Sequence, residues 1–162
     1  MSVSGMRIGL GYDVHAFAED RSLVLGGVEI EHERGLAGHS DADVLVHALM
    51  DAMVGAMREG DIGRLFPDTD PAYRGISSLE LLSRVAALAR ERGFRLVDAD
   101  CVVALEQPKV SPHREAMRDE IAAALGVDRD QVGVKATTTE GLGFTGRQEG
   151  VAAWAVVLME RA

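Results

Sequence analysis

The feature that most constrains this fold is the stretch His39-Ser-Asp-Ala-Asp-Val-Leu-Val-His47, where a polar turn passes into an apolar helix. Ser40, followed three residues later by Asp43, predicts a capping-box start. From position 45 to position 57 apolar residues recur with the spacing of one helix face. Gly60 predicts that the helix ends near Arg58. The rest of the chain is therefore expected to be organised around this helix.

His47 lies at the edge of the apolar face, and two interpretations of it remain open. A buried histidine could bond to Asp43 or Asp51, each four residues away on the same face. Alternatively, His47 could be a metal ligand, since a titratable group at such a position needs a partner.

A second pattern favours the metal. Residues 7–15 alternate as in a strand, so Asp13 and His15 share one face. Gly9 and Gly11 lie on the same face and leave room for a close approach. Two ligands on a strand and His47 from a neighbouring helix could converge on one ion. An Asp/His/His set suits Zn²⁺ and leaves a fourth position open, although Asp-x-His pairs also arise by chance.

Composition limits the classes of function. The 162 residues predict one domain, and the net charge of −9 argues against nucleic-acid binding. An anionic ligand would need bound cations or a few well-placed basic groups. No run approaches the ~20 apolar residues of a membrane span, and the first residues lack the pattern of a signal peptide. The single cysteine, Cys101, fits a cytoplasmic location and lies in an apolar run typical of core.

The remaining elements predict an α+β domain, with helices packed on one face of a mixed, mostly antiparallel sheet. Residues 31–38 are expected to form a charged loop. The other predicted elements are a hairpin over 23–30, a helix over 77–93, a strand over 96–105, a helix from Ser111 to Gly126, and strands over 132–138 and 150–158.

Two polar segments have both a functional and a purely structural interpretation. Residues 61–70 could pack down and present their acids, or form a solvated connecting loop. Residues 137–140, flanked by Lys135 and Arg147, could contact phosphate, with Glu140 holding Mg²⁺ or Mn²⁺; the alternative is strand propensity plus a helix cap. Glycines 141, 143 and 146 match the dinucleotide fingerprint formally, but no βαβ unit can follow them.

Together these motifs resemble the 2-C-methyl-D-erythritol 2,4-cyclodiphosphate synthase family from about Met6 to Arg161. The single domain is accordingly predicted over residues 6–161, after a short extension at 1–5. The matching motifs are G-Y-D-V-H (11–15), H-S-D-A-D (39–43), H-A-L-M-D-A (47–52), G-D-I-G-R-L-F-P-D-T-D (60–70), P-K (108–109) and V-K-A-T-T-T-E-G-L-G-F-T-G-R (134–147).

The resemblance implies an enzyme of non-mevalonate isoprenoid biosynthesis, a phosphorus-oxygen lyase. Its substrate is 4-diphosphocytidyl-2-C-methylerythritol 2-phosphate, whose 2-phosphate attacks the β-phosphorus, closes a cyclic diphosphate and expels CMP. No protein nucleophile is needed, because positioning and charge neutralisation supply the catalysis.

The resemblance also implies roles for individual residues. By the match, Asp13, His15 and His47 hold one zinc ion per subunit, and Glu140 holds a second ion, Mg²⁺ or Mn²⁺. His39 and Thr138 match the positions that stabilise the transition state. Further matches to substrate-binding positions are Ser40 with His39 at a phosphate, Asp61 and Gly63 at the hydroxyls, Ile62, Phe66, Pro67, Asp68, Thr69 and Asp70 nearby, Leu105, Pro108, Lys109, Val110, Ser111, Ala136, Thr137 and Thr139 at the cytidine diphosphate, and Phe144 and Arg147 at a central channel.

The resemblance further implies a homotrimer with active sites between subunits and a polyprenyl diphosphate as a ligand of its channel. The chain departs from the family at Ala42, usually glycine, which should be tolerated if it is already helical. It also departs at Glu106, which could alter nucleotide preference if it points inward. The competing hypotheses are a zinc phosphohydrolase that releases orthophosphate and a trimeric binding protein with structural zinc.

Overall fold

The computed structural model describes residues 5–162, along which strands and helices follow one another. All but Gly5 of the predicted N-terminal extension lie outside the described residues, and the domain bounds 6–161 stay a prediction. In chain order the elements are β1 (Met6–Ala18), β2 (Leu23–Leu25), β3 (Val28–Ile30), β4 (Gly35–Leu36), α1 (Val44–Met57), α2 (Ile62–Leu65), α3 (Ser78–Glu91), β5 (Phe94–Ala104), α4 (Arg114–Leu125), β6 (Val132–Thr137), α5 (Gly143–Gly146) and β7 (Gly150–Arg161).

A five-stranded sheet of order β4-β1-β7-β5-β6 is the backbone of the fold, and β2 pairs with β3 as a separate hairpin. β1 runs antiparallel to β4 and β7, and β7 runs antiparallel to β5. β5 and β6 are parallel, because α4 lies between them in the chain and carries it back to the starting edge. The predicted α+β class with a mixed sheet is confirmed, but "mostly antiparallel" misses this parallel edge. The segment predicted as a charged loop contains β4.

Helix α1 packs on the sheet so closely that two strand positions admit only glycine. A Cβ added to Gly11 would lie 1.8 Å from the carbonyl oxygen of Ala48, and one added to Gly9 would lie 1.8 Å from that of Ala52. The predicted close approach to these glycines is therefore made by the helix backbone itself. This contact sets the distance between β1 and the side chains of α1.

The opposite face of β1 and β7 is apolar and open. Alternation turns glycine, Asp13 and His15 toward α1 and turns the apolar side chains outward. Tyr12 and Trp154 pack together there, with ring centroids 5.1 Å apart. The exposed large apolar residues of this face are Met6, Ile8, Leu10, Tyr12, Val14, Trp154 and Val156. A contiguous apolar surface of this kind is typical of an interface.

The start of α1 differs from the predicted capping box. Asp43, and not Ser40, is the N-cap, and its carboxylate accepts from the Val46 amide. Ala42 precedes the helix with φ +58°. It is therefore not helical, so the condition under which alanine should be tolerated here is not met. This left-handed backbone explains why glycine would suit the position, since only glycine adopts it without a steric cost.

Asp43 also links α1 to the hairpin. Its two carboxylate oxygens accept from the amides of Gly26 and Gly27 at 3.0 and 2.6 Å, in the turn between β2 and β3. Burial, followed by the charge of Asp41, raises the pKa of Asp43 to about 6. The helix start is thereby fixed by a contact 16 to 17 residues distant in sequence.

The other predicted elements are confirmed with shifted ends. Gly126 ends α4 in the left-handed conformation, and Cys101 is fully buried in the core. Ser111 and Pro112 open a 3-10 turn that leads into α4 rather than the α-helix itself. Within residues 5–162, no helix has the length and apolar character needed to cross a membrane.

Candidate metal centre and adjoining cavity

Three side chains converge between the end of β1 and helix α1. Asp13 Oδ2 lies 2.8 Å from His15 Nε2 and 3.2 Å from His47 Nδ1. The two ring nitrogens are 3.2 Å apart. Within the described residues, this is the group whose carboxylate and imidazole atoms are close enough to share an ion. The convergence predicted from Asp13-x-His15 and His47 is confirmed. We call this group the metal corner.

The outer nitrogen of each histidine has a partner of its own. His15 Nδ1 lies 2.5 Å from the carbonyl oxygen of Ala37, which can only accept a hydrogen bond. His47 Nε2 lies 3.0 Å from Ser78 Oγ and 3.2 Å from Ser40 Oγ. The interpretation that His47 bonds to the side chain of Asp43 or Asp51 is wrong, because both carboxylates bind backbone amides instead.

The geometry fits a tetrahedral cation. With the outer nitrogens protonated, the corner presents one carboxylate oxygen and two nitrogen lone pairs to a common point. Three acceptors that face one another repel unless a cation or a proton lies between them. Zinc with bonds of about 2.0–2.1 Å would separate neighbouring donors by roughly 3.3 Å, close to the observed spacing.

Electrostatics in the metal-free corner follow from the same contacts. Burial would raise the pKa of Asp13, but the neighbouring imidazoles of His15 and His47 outweigh it and hold that pKa well below its usual value. Burial would lower the pKa of His15, but its hydrogen bonds to Asp13 and to the Ala37 carbonyl raise it. A proton on His15 Nε2 would lie where a metal is expected to bind.

The corner opens into a cavity of about 500 Å³. It is walled on one side by the turn before α1 and on the other by α2 and the loop after it. Its lining residues are His15, Gly38, His39, Ser40, His47, Met50, Ile62, Gly63, Phe66, Pro67, Asp68, Thr69, Tyr73 and Leu81. Most of the substrate positions predicted in the first half of the chain thus surround one space.

Residues 61–70 form the packed loop and not the solvated one. Asp61 caps α2 through the Arg64 amide, and Asp51 accepts from the Ile62 amide at 3.3 Å. Asp70 caps the following turn, and its carbonyl oxygen lies 3.1 Å from His39 Nε2. Asp61 and Asp70 therefore position the cavity wall without lining the cavity.

The other predicted residues lie around the ends of β5 and β6. Ala136, Thr137, Thr138 and Glu140 are exposed there, as is Lys109. Leu105 and Val110 are buried beneath them, while Pro108 and Phe144 are half-buried and Ser111 and Arg147 are exposed. We call residues 137–147 the β6 loop.

Glu106 points inward and holds the β6 loop. Its Oε1 accepts from the amides of Thr139 at 3.0 Å and Gly141 at 3.3 Å, and from the Thr139 hydroxyl at 3.3 Å. Thr139 also contacts Thr145 Oγ1 at 2.7 Å. The carboxylate is thus an anchor of the backbone on either side of Glu140.

The metal corner lies at the end of β1, and the β6 loop begins at the same end of the sheet three strands away. Val14, Ala152, Ala104 and Thr137 form one row across four strands. Three strand spacings of about 4.8 Å place the row's ends roughly 14 Å apart. Glu140 is accordingly not part of the metal corner.

Sequence reasoning missed the partners of the histidines. Ser78 is fully buried, and Ala37 contributes only its backbone carbonyl group. Neither residue is therefore marked by a recognisable sequence motif. Ser78 could be recognised from sequence only as part of the predicted start of α3. Its proximity to His47, 31 residues away, comes from packing.

Comparisons with known proteins agree with the site. The pattern of the YgbB family matches residues 6–160. The chain is 58% identical over 96% of its length to 2-C-methyl-D-erythritol 2,4-cyclodiphosphate synthase of Geotalea uraniireducens, of which it covers 99%. It is 61% identical, over 95% of its length, to the bifunctional enzyme IspD/IspF of Desulforudis audaxviator, but it spans only 39% of that protein.

A solved structure of IspF from Plasmodium falciparum in complex with CDP matches 99% of both chains, with a TM-score of 0.85 and 32% identity. Fold, site and sequence therefore give the same result. The curated relatives of this chain include 2-C-methyl-D-erythritol 2,4-cyclodiphosphate synthases. The chain belongs to the YgbB family.

Proposed function

We propose that this chain converts 4-diphosphocytidyl-2-C-methyl-D-erythritol 2-phosphate to 2-C-methyl-D-erythritol 2,4-cyclodiphosphate and CMP, in cytoplasmic isoprenoid biosynthesis. An oxygen of the 2-phosphate forms a bond to the β-phosphorus, and the bond from that phosphorus to the bridging oxygen breaks. CMP leaves with the bridging oxygen, so the reaction is that of a phosphorus-oxygen lyase.

The observation that carries the proposal is the metal corner opening into the 500 Å³ cavity. Asp13, His15 and His47 would hold zinc, whose charge and open coordination position polarise a phosphate oxygen. The corner has three protein ligands and no fourth carboxylate, imidazole or thiol within reach among residues 5–162. An open position of this kind favours a catalytic role over structural zinc.

The cavity residues bind the erythritol half of the substrate. Ser40 lies beside the corner, where its hydroxyl can donate a hydrogen bond to the 2-phosphate, and His39 lines the same cavity. Gly63 exposes backbone in the cavity wall, and Asp61 holds the turn in which it lies, so this wall suits the erythritol hydroxyls. These contacts orient the attacking oxygen, which is the main requirement of a phosphoryl transfer with no protein nucleophile.

The β6 loop and the end of β5 bind the cytidine diphosphate half. Lys109 and Thr138 are exposed and available to the diphosphate. Glu140 carries an exposed carboxylate, and Mg²⁺ or Mn²⁺ is commonly held by one or two carboxylates together with substrate phosphates. Thr138 and His39 then approach the β-phosphorus from opposite halves of the site and stabilise the transition state.

The roughly 14 Å between the Cα positions of Val14, beside the corner, and Thr137, at the start of the β6 loop, supports a homotrimer in which neighbouring chains complete each site. The exposed apolar face of β1 and β7 supports the same assembly, since Ile8 and Leu10 are 71% and 68% exposed. A cavity of about 360 Å³ joins this face to Phe144. Phe144 and Arg147 could there bind a polyprenyl diphosphate in the trimer channel.

The test is ³¹P NMR of the zinc-loaded protein with the cytidylyl substrate and Mg²⁺. The expected product is a cyclic diphosphate with two coupled phosphorus signals, formed together with CMP and lost after zinc removal. Glu80→Gln, on the exposed side of α3, serves as the surface control and should retain activity. Release of orthophosphate would support the phosphohydrolase instead, and an unchanged spectrum with zinc-loaded protein would support the binding protein.

A further inference from the structure

A side-chain relay leads from the metal corner to the start of α3. Ser78 is fully buried at the start of α3, and its hydroxyl donates to Asp41 Oδ1. The Ser78 amide donates to Asp41 Oδ2 at 3.0 Å. Ser78 Oγ also lies 3.0 Å from His47 Nε2. The order of contacts is therefore Asp41, Ser78, His47 and the corner.

The number of available protons sets the donor and the acceptor of each hydrogen bond in the relay. An ionised aspartate can only accept, so the single proton of the Ser78 hydroxyl belongs to the bond with Asp41. Ser78 Oγ then has only lone pairs to offer His47, and the proton in their contact must come from Nε2. The Nδ1 atom of a neutral imidazole is left unprotonated, and it is the atom that faces Asp13 and His15.

We propose that Asp41 and Ser78 are positioning residues that hold His47 as the Nε2–H tautomer and aim its Nδ1 lone pair at the metal. This inference rests on the proposed function for the presence of a metal, but it concerns binding and not turnover. Partners of this kind orient metal-bound histidines, and their loss typically costs 10- to 100-fold in metal affinity.

The relay also leaves Ser40 free to act. Ser40 Oγ lies 3.2 Å from His47 Nε2 and accepts from the Ala42 amide at 3.2 Å. Because Nε2 carries a proton, the Ser40 hydroxyl cannot donate to it. The Ser40 proton is then available to a phosphate oxygen in the cavity.

A structural role can be separated from this one. Asp41 accepts from the amides of Ser78 and Asp43, and both contacts survive when only the Ser78 hydroxyl is removed. Ser78→Ala therefore keeps both amide contacts of Asp41 and breaks the relay. Ser83→Ala is the matched control, since Ser83 lies on the same helix and its hydroxyl bonds to carbonyl groups far from the corner.

The experiment is zinc affinity measured by competition with a chelator in the purified full chain. Ser78→Ala is expected to bind zinc about 10- to 100-fold more weakly, and Ser83→Ala as tightly as the unmodified chain. Asp41→Asn should also weaken binding, because it removes the charged acceptor of the Ser78 hydroxyl. Unchanged affinity in Ser78→Ala would overturn the proposal.

A second readout does not depend on stability or turnover. Two-bond ¹H–¹⁵N spectra of the histidine rings in metal-free protein, at a pH where imidazoles are neutral, report the tautomer directly. The unmodified chain should show His47 protonated at Nε2, and Ser78→Ala should show a mixture. The same tautomer in both would overturn the proposal, whereas an intact relay in a chain without cyclase activity would contradict only the proposed function.

Discussion

The metal corner and the β6 loop are organised in opposite ways. In the corner, each histidine ring nitrogen has a partner from the same chain, and the inner atoms lie within 3.2 Å of one another. In the loop, Thr137, Thr138 and Glu140 are exposed, and the backbone is held from below by one carboxylate. One chain thus preorganises the metal corner and leaves the β6 loop exposed.

The difference indicates which part of the proposed site would need a second chain. A metal site must be preorganised, because misplaced ligands lose affinity steeply, so a single chain supplies all of it. A site that holds a large substrate can be divided between copies, since each half only needs to be rigid. The apolar outer face of β1 and β7 would provide the contact that joins the halves.

The largest expected effect comes from mixing two broken chains. His47→Ala should lower activity about a thousandfold, because metal stabilisation of charge is worth several kcal/mol and each 1.36 kcal/mol is a factor of ten. Thr138→Ala should also lower activity strongly. Trimers that contain both variants, isolated through two different tags, should regain roughly one intact site in three.

Each site is proposed to combine the metal corner of one chain with the β6 loop of the next. Whether a mixed trimer contains one or two copies of either variant, only one of its three neighbouring pairs then has both an intact corner and an intact loop. The measurement is CMP release per trimer, with each pure variant as the control. Activity no greater than that of the pure variants would mean that the two halves of a site belong to one chain.

The next effect concerns the packing under the corner. Gly11→Ala should lower the free energy of unfolding by about 3 kcal/mol, because its Cβ would collide with the backbone of α1. It should also weaken zinc binding, since Gly11 and Asp13 share a strand and a face. Gly55→Ala is the matched control in α1, where an added Cβ meets nothing within 4 Å and should stabilise by up to about 1 kcal/mol.

Chemical denaturation and chelator competition on both variants would measure these effects. Equal stability of Gly11→Ala and Gly55→Ala would show that the close contact between strand and helix does not hold the corner.

A third prediction concerns pH. Because zinc must displace the proton on His15, whose pKa is raised from 6.5, apparent zinc affinity should rise by up to about tenfold per pH unit until that pKa is passed. The folding stability of the metal-free protein depends on pH in the opposite sense. The ion pair between Asp13 and protonated His15 stabilises the fold fully below pH 6.5, and this stabilisation is lost as pH rises through the pKa of His15 in the folded state.

Because its pKa is lowered, ionised Asp13 stabilises the folded protein above pH 3.8, and this stabilisation is lost as pH falls through the pKa of Asp13 in the folded state. The gain in melting temperature on adding zinc should therefore grow with pH above 6.5. Differential scanning calorimetry with and without zinc measures it, and a gain that is constant across this range would argue against a proton in the metal position.

The smallest effect tests the β6 loop. Glu106→Ala should lower kcat about tenfold, because two backbone amides near Glu140 lose a charged acceptor. Glu106→Gln keeps one carbonyl oxygen and should stay within about twofold. Zinc affinity should not change in either variant, and a loss of zinc in Glu106→Ala would mean that loop and corner are coupled within one chain.

Sequence alone indicated most of the elements and placed Asp13 and His15 on one face of a strand and His47 at the edge of one face of a helix. A strand repeats every two residues and a helix every 3.6, so the faces of both can be assigned from local pattern. Glycine and serine similarly marked the ends of helices, within a few residues. The motifs also indicated the family, because their order along the chain does not depend on contacts.

Tertiary structure alone decided how those faces are joined. The partner of His47 is Ser78 rather than a carboxylate on its own helix, and Asp43 caps α1 while holding the Gly26–Gly27 turn. The inward direction of Glu106 and the separation of β1 from β6 by two intervening strands likewise depend on tertiary structure. These contacts span from 16 to 33 residues, and they form only after the sheet and helices have packed.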